Sequence, residues 1–397
     1  VGLEMGDGGN YVKQTTDGGY IIGGQAISID GDVSGNHNNY PIQYSDPDYW
    51  IIKLTSTGNI QWQKCLGGFY GDCLRTIDQT TDGGYIVAGY TTSNGGDGDV
   101  VGPNRGWYDW WIVKISATGT IQWSKRLGGE NDDKLFSIQP TTDGGFISAG
   151  YTSWPGGGDV SGFHSPTSPT SITQDAWIVK LNNSGIVQWQ KCLGGTNSES
   201  ANSIHQTTDG GYIFGGYSNS GINGNKTEDK VGLYDYWIIK ADADGNIEWQ
   251  NTIGGTQNDY LNNVEPTADG GYILGGTSFS DSTADKSENK NGAQDFWIVK
   301  VDNTGNIVWE NTIGGNAYDY LHIIHQTPDG GYIAGGYSDS GLSGDKLAVL
   351  QQIQLFSMQH GMLWVGMPLQ PTGTNPDDLN RMGSYMGLMA QSDSAPV

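Results

Sequence analysis

Asp209-Gly210-Gly211-Tyr212-Ile213-Phe214-Gly215-Gly216-Tyr217, followed after a polar stretch by Asp235-Tyr236-Trp237-Ile238-Ile239-Lys240, carries most of the architecture of this chain. Gly-Gly after Asp supplies the positive φ that a tight hairpin needs, and the β-branched and aromatic residues on either side favour strands. Ser203-Ile204-His205-Gln206 before the turn and Ile247-Glu248-Trp249-Gln250 after a second turn at Asp244-Gly245-Asn246 complete four strands, lettered a to d.

Both signatures recur. Asp-Gly-Gly starts at Asp17, Asp82, Asp143, Asp209, Asp269 and Asp329, and Asp-x-Trp at Asp48, Asp109, Asp175, Asp235 and Asp295. From each Asp-x-Trp to the next Asp-Gly-Gly the distance is always 34 residues, whereas the return distance varies between 26 and 32. The constant part reads as framework and the variable part, between strands b and c, as loop. We therefore expect an all-β chain, a β-propeller of four-stranded blades of about 60 residues. Five blades are complete and a sixth is partial over residues 1–346, and a short non-repeat α/β tail occupies 347–397. The b–c loops and the d-to-a connections share one face.

Ten of the 14 Trp fall at two repeat positions, Trp50/111/177/237/297 and Trp62/123/189/249/309, which identifies them as blade-packing residues. Burial of such a ring contributes about 2–3 kcal/mol. The Asp two places before the first Trp reads as a strand-start acceptor, with metal binding as the other alternative.

Lys300-Val301-Asp302-Asn303-Thr304-Gly305-Asn306-Ile307-Val308-Trp309 resembles the tryptophan-docking motif of PQQ-like propeller repeats. The whole unit is similar to propeller repeats of secreted and surface proteins of Bacteroidota. The resemblance covers roughly residues 1–346 and implies architecture more than activity. In the tail, His360-Gly361-Met362-Leu363-Trp364-Val365-Gly366 and Asp378-Leu379-Asn380-Arg381-Met382-Gly383-Ser384 resemble the C-terminal end of flavodoxin-like NAD(P)H-dependent FMN oxidoreductases. That family holds the FMN phosphate in a loop after its first strand, and no such loop precedes the tail here. The expectation is a fused fragment, an artefact of sequence assembly, or a segment packed on the propeller in another way, without flavin catalysis.

The formal net charge of −24, from 19 Lys and Arg against 43 Asp and Glu, argues against nucleic acid or anionic lipid as partner. No apolar run approaches 18 residues, so no membrane insertion is expected. Of three Cys, Cys65 and Cys192 share a repeat position that Arg126, Thr252 and Thr312 fill elsewhere. A disulfide between Cys65 and Cys73 and separate thiols are both open.

No nucleophile elbow, Ser-His-Asp order or paired-carboxylate motif stands out, so no catalytic residue is assigned. The variable loops hold the candidate binding residues. Loop 26–47 carries His37, Tyr40 and Tyr44, loop 93–108 carries Trp107 and Tyr108 and leads into Trp110, and loop 153–174 carries Trp154 and His164. Aromatic rings beside polar groups suit sugar or peptide recognition. They serve equally to fold long loops onto the blades. Asp30 with Asp32, and Asp97 with Asp99, form Asp-Gly-Asp pairs that suit calcium, the one cofactor the sequence suggests. The expectation is a secreted or cell-surface module for binding or adhesion, more a binder than an enzyme, with a glycan or protein ligand on the loop face. Its rivals are a PQQ-type quinoprotein, which the scarcity of cations disfavours, and a purely structural repeat of a larger surface protein.

Overall fold

A computed structural model describes residues 7–37, 46–164 and 171–338, and all regular structure there is β-strand. The expectations placed on 347–397, on Tyr40 and on Tyr44 lie outside the described residues. The first blade contains β1 (Gly8–Gln14), β2 (Tyr20–Ala26), β3 (Asp48–Leu54) and β4 (Ile60–Leu66). The second contains β5 (Asp72–Gln79), β6 (Tyr85–Thr91), β7 (Asp109–Ile115) and β8 (Ile121–Leu127), and the third β9 (Asp133–Pro140), β10 (Phe146–Ser153), β11 (Gln174–Leu181) and β12 (Val187–Leu193). The fourth contains β13 (Glu199–Gln206), β14 (Tyr212–Ser218), β15 (Asp235–Ala241) and β16 (Ile247–Ile253). The fifth contains β17 (Asp259–Pro266), β18 (Tyr272–Ser278), β19 (Asp295–Val301) and β20 (Ile307–Ile313). Each is a four-stranded antiparallel sheet in sequence order, and β21 (Asp319–Gln326) with β22 (Tyr332–Ser338) forms a two-stranded one. The fold is all-β, a repeat of β-propeller blades. The chain divides into two compact units, residues 1–230 with 238–250 and residues 231–237 with 251–397.

Every blade is built on the same local chemistry. Asp82 accepts hydrogen bonds from the Thr80 hydroxyl and the Gly84 N–H, closing the a–b turn, with Gly83 at φ +82°. The strand-c lysine then reaches the same carboxylate: Lys53 to Asp17 (2.9 Å), Lys114 to Asp82 (3.0 Å), Lys180 to Asp143 (2.8 Å), Lys240 to Asp209 (2.8 Å) and Lys300 to Asp269 (3.0 Å). These lysines are almost fully buried along their stems, so the pair fixes the turn against strand c.

In the first unit, strand c is buried on both faces, and successive side chains serve successive interfaces. Tyr49 and Ile51 pack against Leu74, Val87 and Trp111 of the second blade. Trp110 and Ile112 of the second pack against Leu135, Phe146 and Trp177 of the third. The residue between Asp and the repeat Trp therefore meets the repeat Trp of the following blade: Tyr49 lies 4.7 Å from Trp111 and Trp110 lies 4.3 Å from Trp177, centroid to centroid. The second unit repeats this with Tyr236 and Trp297 at 4.9 Å. The strand-d tryptophans extend to the next c–d turn. Trp62 Nε1 donates to Ala117 O and Trp123 Nε1 to Asn183 O, each at 3.0 Å. Gly119 and Gly185 leave room for these rings, because a Cβ there would lie 3.2 and 2.9 Å from them.

Cys65, Cys73 and Cys192 are free thiols, which corrects the disulfide alternative. Cys65 is buried against Ala26 and Val33 at the end of β4, whereas Cys73 sits on β5 opposite Tyr90. Burial pushes the Cys65 thiol up to about 12.

Candidate functional site

The b–c loops are tied down at two positions, each filled by Asp or, once, Asn. The strand-c Asp accepts a loop backbone N–H: His37 N–H to Asp48 (2.8 Å), Arg105 N–H to Asp109 (3.1 Å), His164 N–H to Asp175 (2.8 Å) and Asn291 N–H to Asp295 (2.5 Å). This is the strand-start acceptor that the repeat suggested. The second tie is the residue after the loop's turn. Asp159 N–H donates to Gly128 O at 3.0 Å while its carboxylate accepts from Gly128 N–H at 3.3 Å. Asn225 makes the equivalent pair with Gly194, its amide Oδ1 accepting in place of a carboxylate, at 2.8 and 3.2 Å. In the second unit Asp285 does so to Gly254, at 3.3 and 3.1 Å.

Cations link these acids along the first unit. His37 Nδ1 lies 2.9 Å from Asp48 and its Nε2 3.6 Å from Asp99 of the next loop. The Arg105 guanidinium pairs with Asp159, while Arg126 Nε lies 2.6 Å from Asp109 and its Nη1 donates to Ser93 O at 2.6 Å. His164 Nδ1 lies 2.7 Å from Asp175. The hydrogen bonds to Asp48 and Asp175 raise the two imidazoles. Burial raises Asp109 against the pull of Arg126. His37 and His164, expected from the sequence as ligand contacts, each face a buried strand-c carboxylate.

The aromatic candidates separate into different environments. Trp107 is 76% exposed. Tyr108 beside it is half-buried, edge-on to Tyr90 at 5.3 Å and 89°, with Lys134 Nζ 4.2 Å from its centroid and 5.2 Å from that of Tyr90. Trp154 is half-buried against Phe163 at 5.9 Å, and its carbonyl accepts from Asn131 Nδ2 at 2.6 Å. Trp110 is fully buried, which corrects its reading as a ligand platform: it is the inter-blade ring described above. Asp30 and Asp32 flank Gly31 on an exposed turn, and Asp99 donates its N–H to Gly67 O while facing His37. Among the described residues no three His, Cys, Asp or Glu side chains converge as cation ligands would.

Sequence reasoning missed Tyr90, Lys134, Arg105 and Arg126. Tyr90 had a signal, since Tyr151, Tyr217 and Tyr337 recur at the same place late in strand b. Lys134 had none, because Cys73, Ser200, Tyr260 and Tyr320 fill its repeat position.

No family model matches the chain. Over 315 residues it is 23% identical to the Regulatory protein FlaEY of Caulobacter vibrioides, covering 78% of this chain and 31% of that protein. Over 94 residues it is 30% identical to Flavodoxin FldP of Pseudomonas aeruginosa, covering 23% of this chain and 50% of that protein. The chain thus spans half or less of the curated relatives it matches. Among solved structures it is similar to a protein of unknown function from Bacteroides caccae, with TM-score 0.41 and 13% identity over 79% of this chain and 84% of the other. A second, from Dyadobacter fermentans, gives TM-score 0.44 and 10% identity over 79% and 90%. The WD40 domain of Neurospora crassa Pan2 gives TM-score 0.36 and 10% identity over 83% and 86%.

Proposed function

We propose that this chain is a secreted or cell-surface recognition module, non-catalytic, that binds a glycan or protein ligand on its loop face. Trp107 and the Tyr90–Tyr108–Lys134 cluster form the platform. The observation that carries this reading is the exposure of Trp107 directly beside Tyr108, a ring held in place by Tyr90 and Lys134. A flat apolar face on an ordered support loses little entropy on binding, and a cation beside it supplies polar contacts for a sugar hydroxyl or a peptide carbonyl. Trp154 and Asn131 extend the same polar and aromatic character to the third loop.

Arrays of glycans and peptides probed with the purified chain test the proposal. The Trp107→Ala and Tyr108→Ala proteins should lose the signal by roughly tenfold or more, as loss of an interface aromatic typically does. Trp110→Ala serves as the contrast: it should cost about 3–5 kcal/mol of stability, as truncation of a buried ring does. Absence of any ligand for the parent protein would favour a structural repeat. A ligand retained unchanged by both loop variants would move the site elsewhere.

A further inference from the structure

A cleft of about 480 Å³ runs along β12, between Ser161 of the third b–c loop, Asn225 of the fourth, and Asn246 and Ile247 of the fourth c–d turn. That volume is in the range of pockets that take a small ligand. Leu193 and Ile247 give it an apolar side. Among the described residues none that lines it is Asp or Glu, in a chain with 43 of these against 19 Lys and Arg. The adjoining residues 165–170, Ser-Pro-Thr-Ser-Pro-Thr, contain no carboxylate either.

The polar groups of the cleft are set as donors. Trp177 Nε1 can only donate, and does so to Gln190 Oε1 at 2.7 Å, which leaves Gln190 Nε2 to donate to Ser161 Oγ. The Ser161 O–H is then directed onward. Asn225 Oδ1 accepts from Gly194 N–H at 3.2 Å, so its Nδ2 faces the other way. Lys191 Nζ meets a neutral oxygen, Asn246 Oδ1, at 3.2 Å. Asp242, whose carboxylate is lowered in part by the Lys191 charge, accepts from Asn246 N–H, Asn246 Nδ2 and Asp244 N–H at 2.8, 2.9 and 2.9 Å and so serves its own turn. The repeat shows what is special here. Asp99, Asp159 and Asp285 fill the position of Asn225 elsewhere, and Asp99 and Asp159 each face a cation of the protein, His37 and Arg105. With an amide in that place, the charge of Lys191 is left for a ligand.

We propose that this cleft binds an acidic monosaccharide, a sugar ring carrying one carboxylate. The Lys191 ammonium takes the carboxylate, the Ser161 O–H and Asn225 Nδ2 donate to hydroxyl oxygens of the ring, and its C–H face lies on Leu193 and Ile247. One ammonium matches one carboxylate, and a charge-assisted hydrogen bond is the strongest of these contacts. Trp107 belongs to another loop, so the cleft stands or falls independently of the platform proposed above.

Glucuronate and galacturonate, each beside its neutral counterpart glucose or galactose, are titrated into the whole chain by isothermal calorimetry. One of the two acids should bind saturably at one per chain, about tenfold or more tighter than its neutral counterpart. Lys191→Gln and, separately, Asn225→Asp should each weaken it by about tenfold, the loss that a charge-assisted hydrogen bond typically gives. Asn225→Asp restores the residue that the other blades carry, so the protein should stay folded, and circular dichroism checks this. Trp107→Ala should leave the binding unchanged. Absence of saturable binding by either acid overturns the proposal, as does equal binding of acid and neutral sugar. Binding that Trp107→Ala removes and the two cleft variants leave intact also overturns it, because the acid would then sit on the Trp107 platform.

Discussion

His164 Nδ1 lies 2.7 Å from Asp175 Oδ2, and the His164 backbone N–H donates to that same oxygen at 2.8 Å. One residue thus meets a fully buried carboxylate with both its ring and its backbone N–H and anchors the loop that carries it, and His37 with Asp48 repeats the arrangement two blades earlier. Such a pair couples loop order to proton occupancy.

The pH dependence follows from the signs. The raised imidazoles stabilise the fold fully below the unfolded value and lose that contribution as pH rises through the raised one. Burial pushes Asp72 and Asp133 to about 7 and Asp259 and Asp295 to about 6. The unfolded chain releases these protons first, so their contribution also falls as pH rises. The turn carboxylates have the opposite sign. Burial raises Asp82 and Asp143, but hydrogen bonds from their Thr and Lys partners and from the turn glycine N–H together outweigh it and hold both at about 2, so their contribution is lost as pH falls toward that value. The melting temperature should be higher near about pH 5 than near about pH 8, and should fall again below about pH 3. A melting temperature that climbs from pH 5 to pH 8 would refute this account.

Ala284 is a second test, at the backbone level. It adopts φ +52°, where Gly98, Gly158 and Gly224 hold the same loop position at +56°, +57° and +57°. An L side chain in that region costs about 1–2 kcal/mol. Ala284→Gly should therefore stabilise the protein by about 1 kcal/mol, after allowing for the greater freedom of glycine in the unfolded chain. Denaturant titration would show it as a higher midpoint at unchanged slope, and a lower midpoint would mean that the alanine methyl contributes contacts worth more than the strain.

Ser124 concerns a missing partner. Trp50, Trp177 and Trp297 donate their indole N–H to Gln63, Gln190 and Glu310 at 3.0, 2.7 and 2.7 Å. The equivalent of those acceptors in the second blade is Ser124, which is too short. Trp111 Nε1 and Ser124 Oγ are both buried without a partner. Ser124→Gln should recover about 1 kcal/mol by satisfying that donor. The check is thermal denaturation beside a Ser124→Ala control, and equal midpoints for the two variants would show that the glutamine does not reach.

The six Asp-Gly-Gly turns, the strand pattern and the division into framework and loop were legible in the sequence because they are local. A positive-φ turn needs glycine where it stands, and a blade that repeats must repeat its turn and packing residues. The inner-strand position four residues before Asp-Gly-Gly varies in residue type and carries no such marker. Lys13, Asp78, Gln139, His205, Glu265 and His325 are one repeat position, and within each unit the structure joins them in neighbouring pairs, Lys13 with Asp78, Gln139 with His205, and Glu265 with His325.

What the amino-acid sequence determined by itself was therefore the unit and its copies. Tertiary structure alone decided which loop residues look outward. Trp107 and Trp110 are three positions apart, and one is exposed while the other is wholly buried. In a strand covered on both faces, alternation no longer marks an outside. The partners of His37, Arg105 and Lys134 likewise come from segments outside their own loops or strands, often from the neighbouring blade. Repetition encodes that neighbouring blades will meet. Which side chains meet there depends on substitutions such as Arg126 for Cys65 or Ser124 for Gln63, whose effects appear only when the blades are stacked.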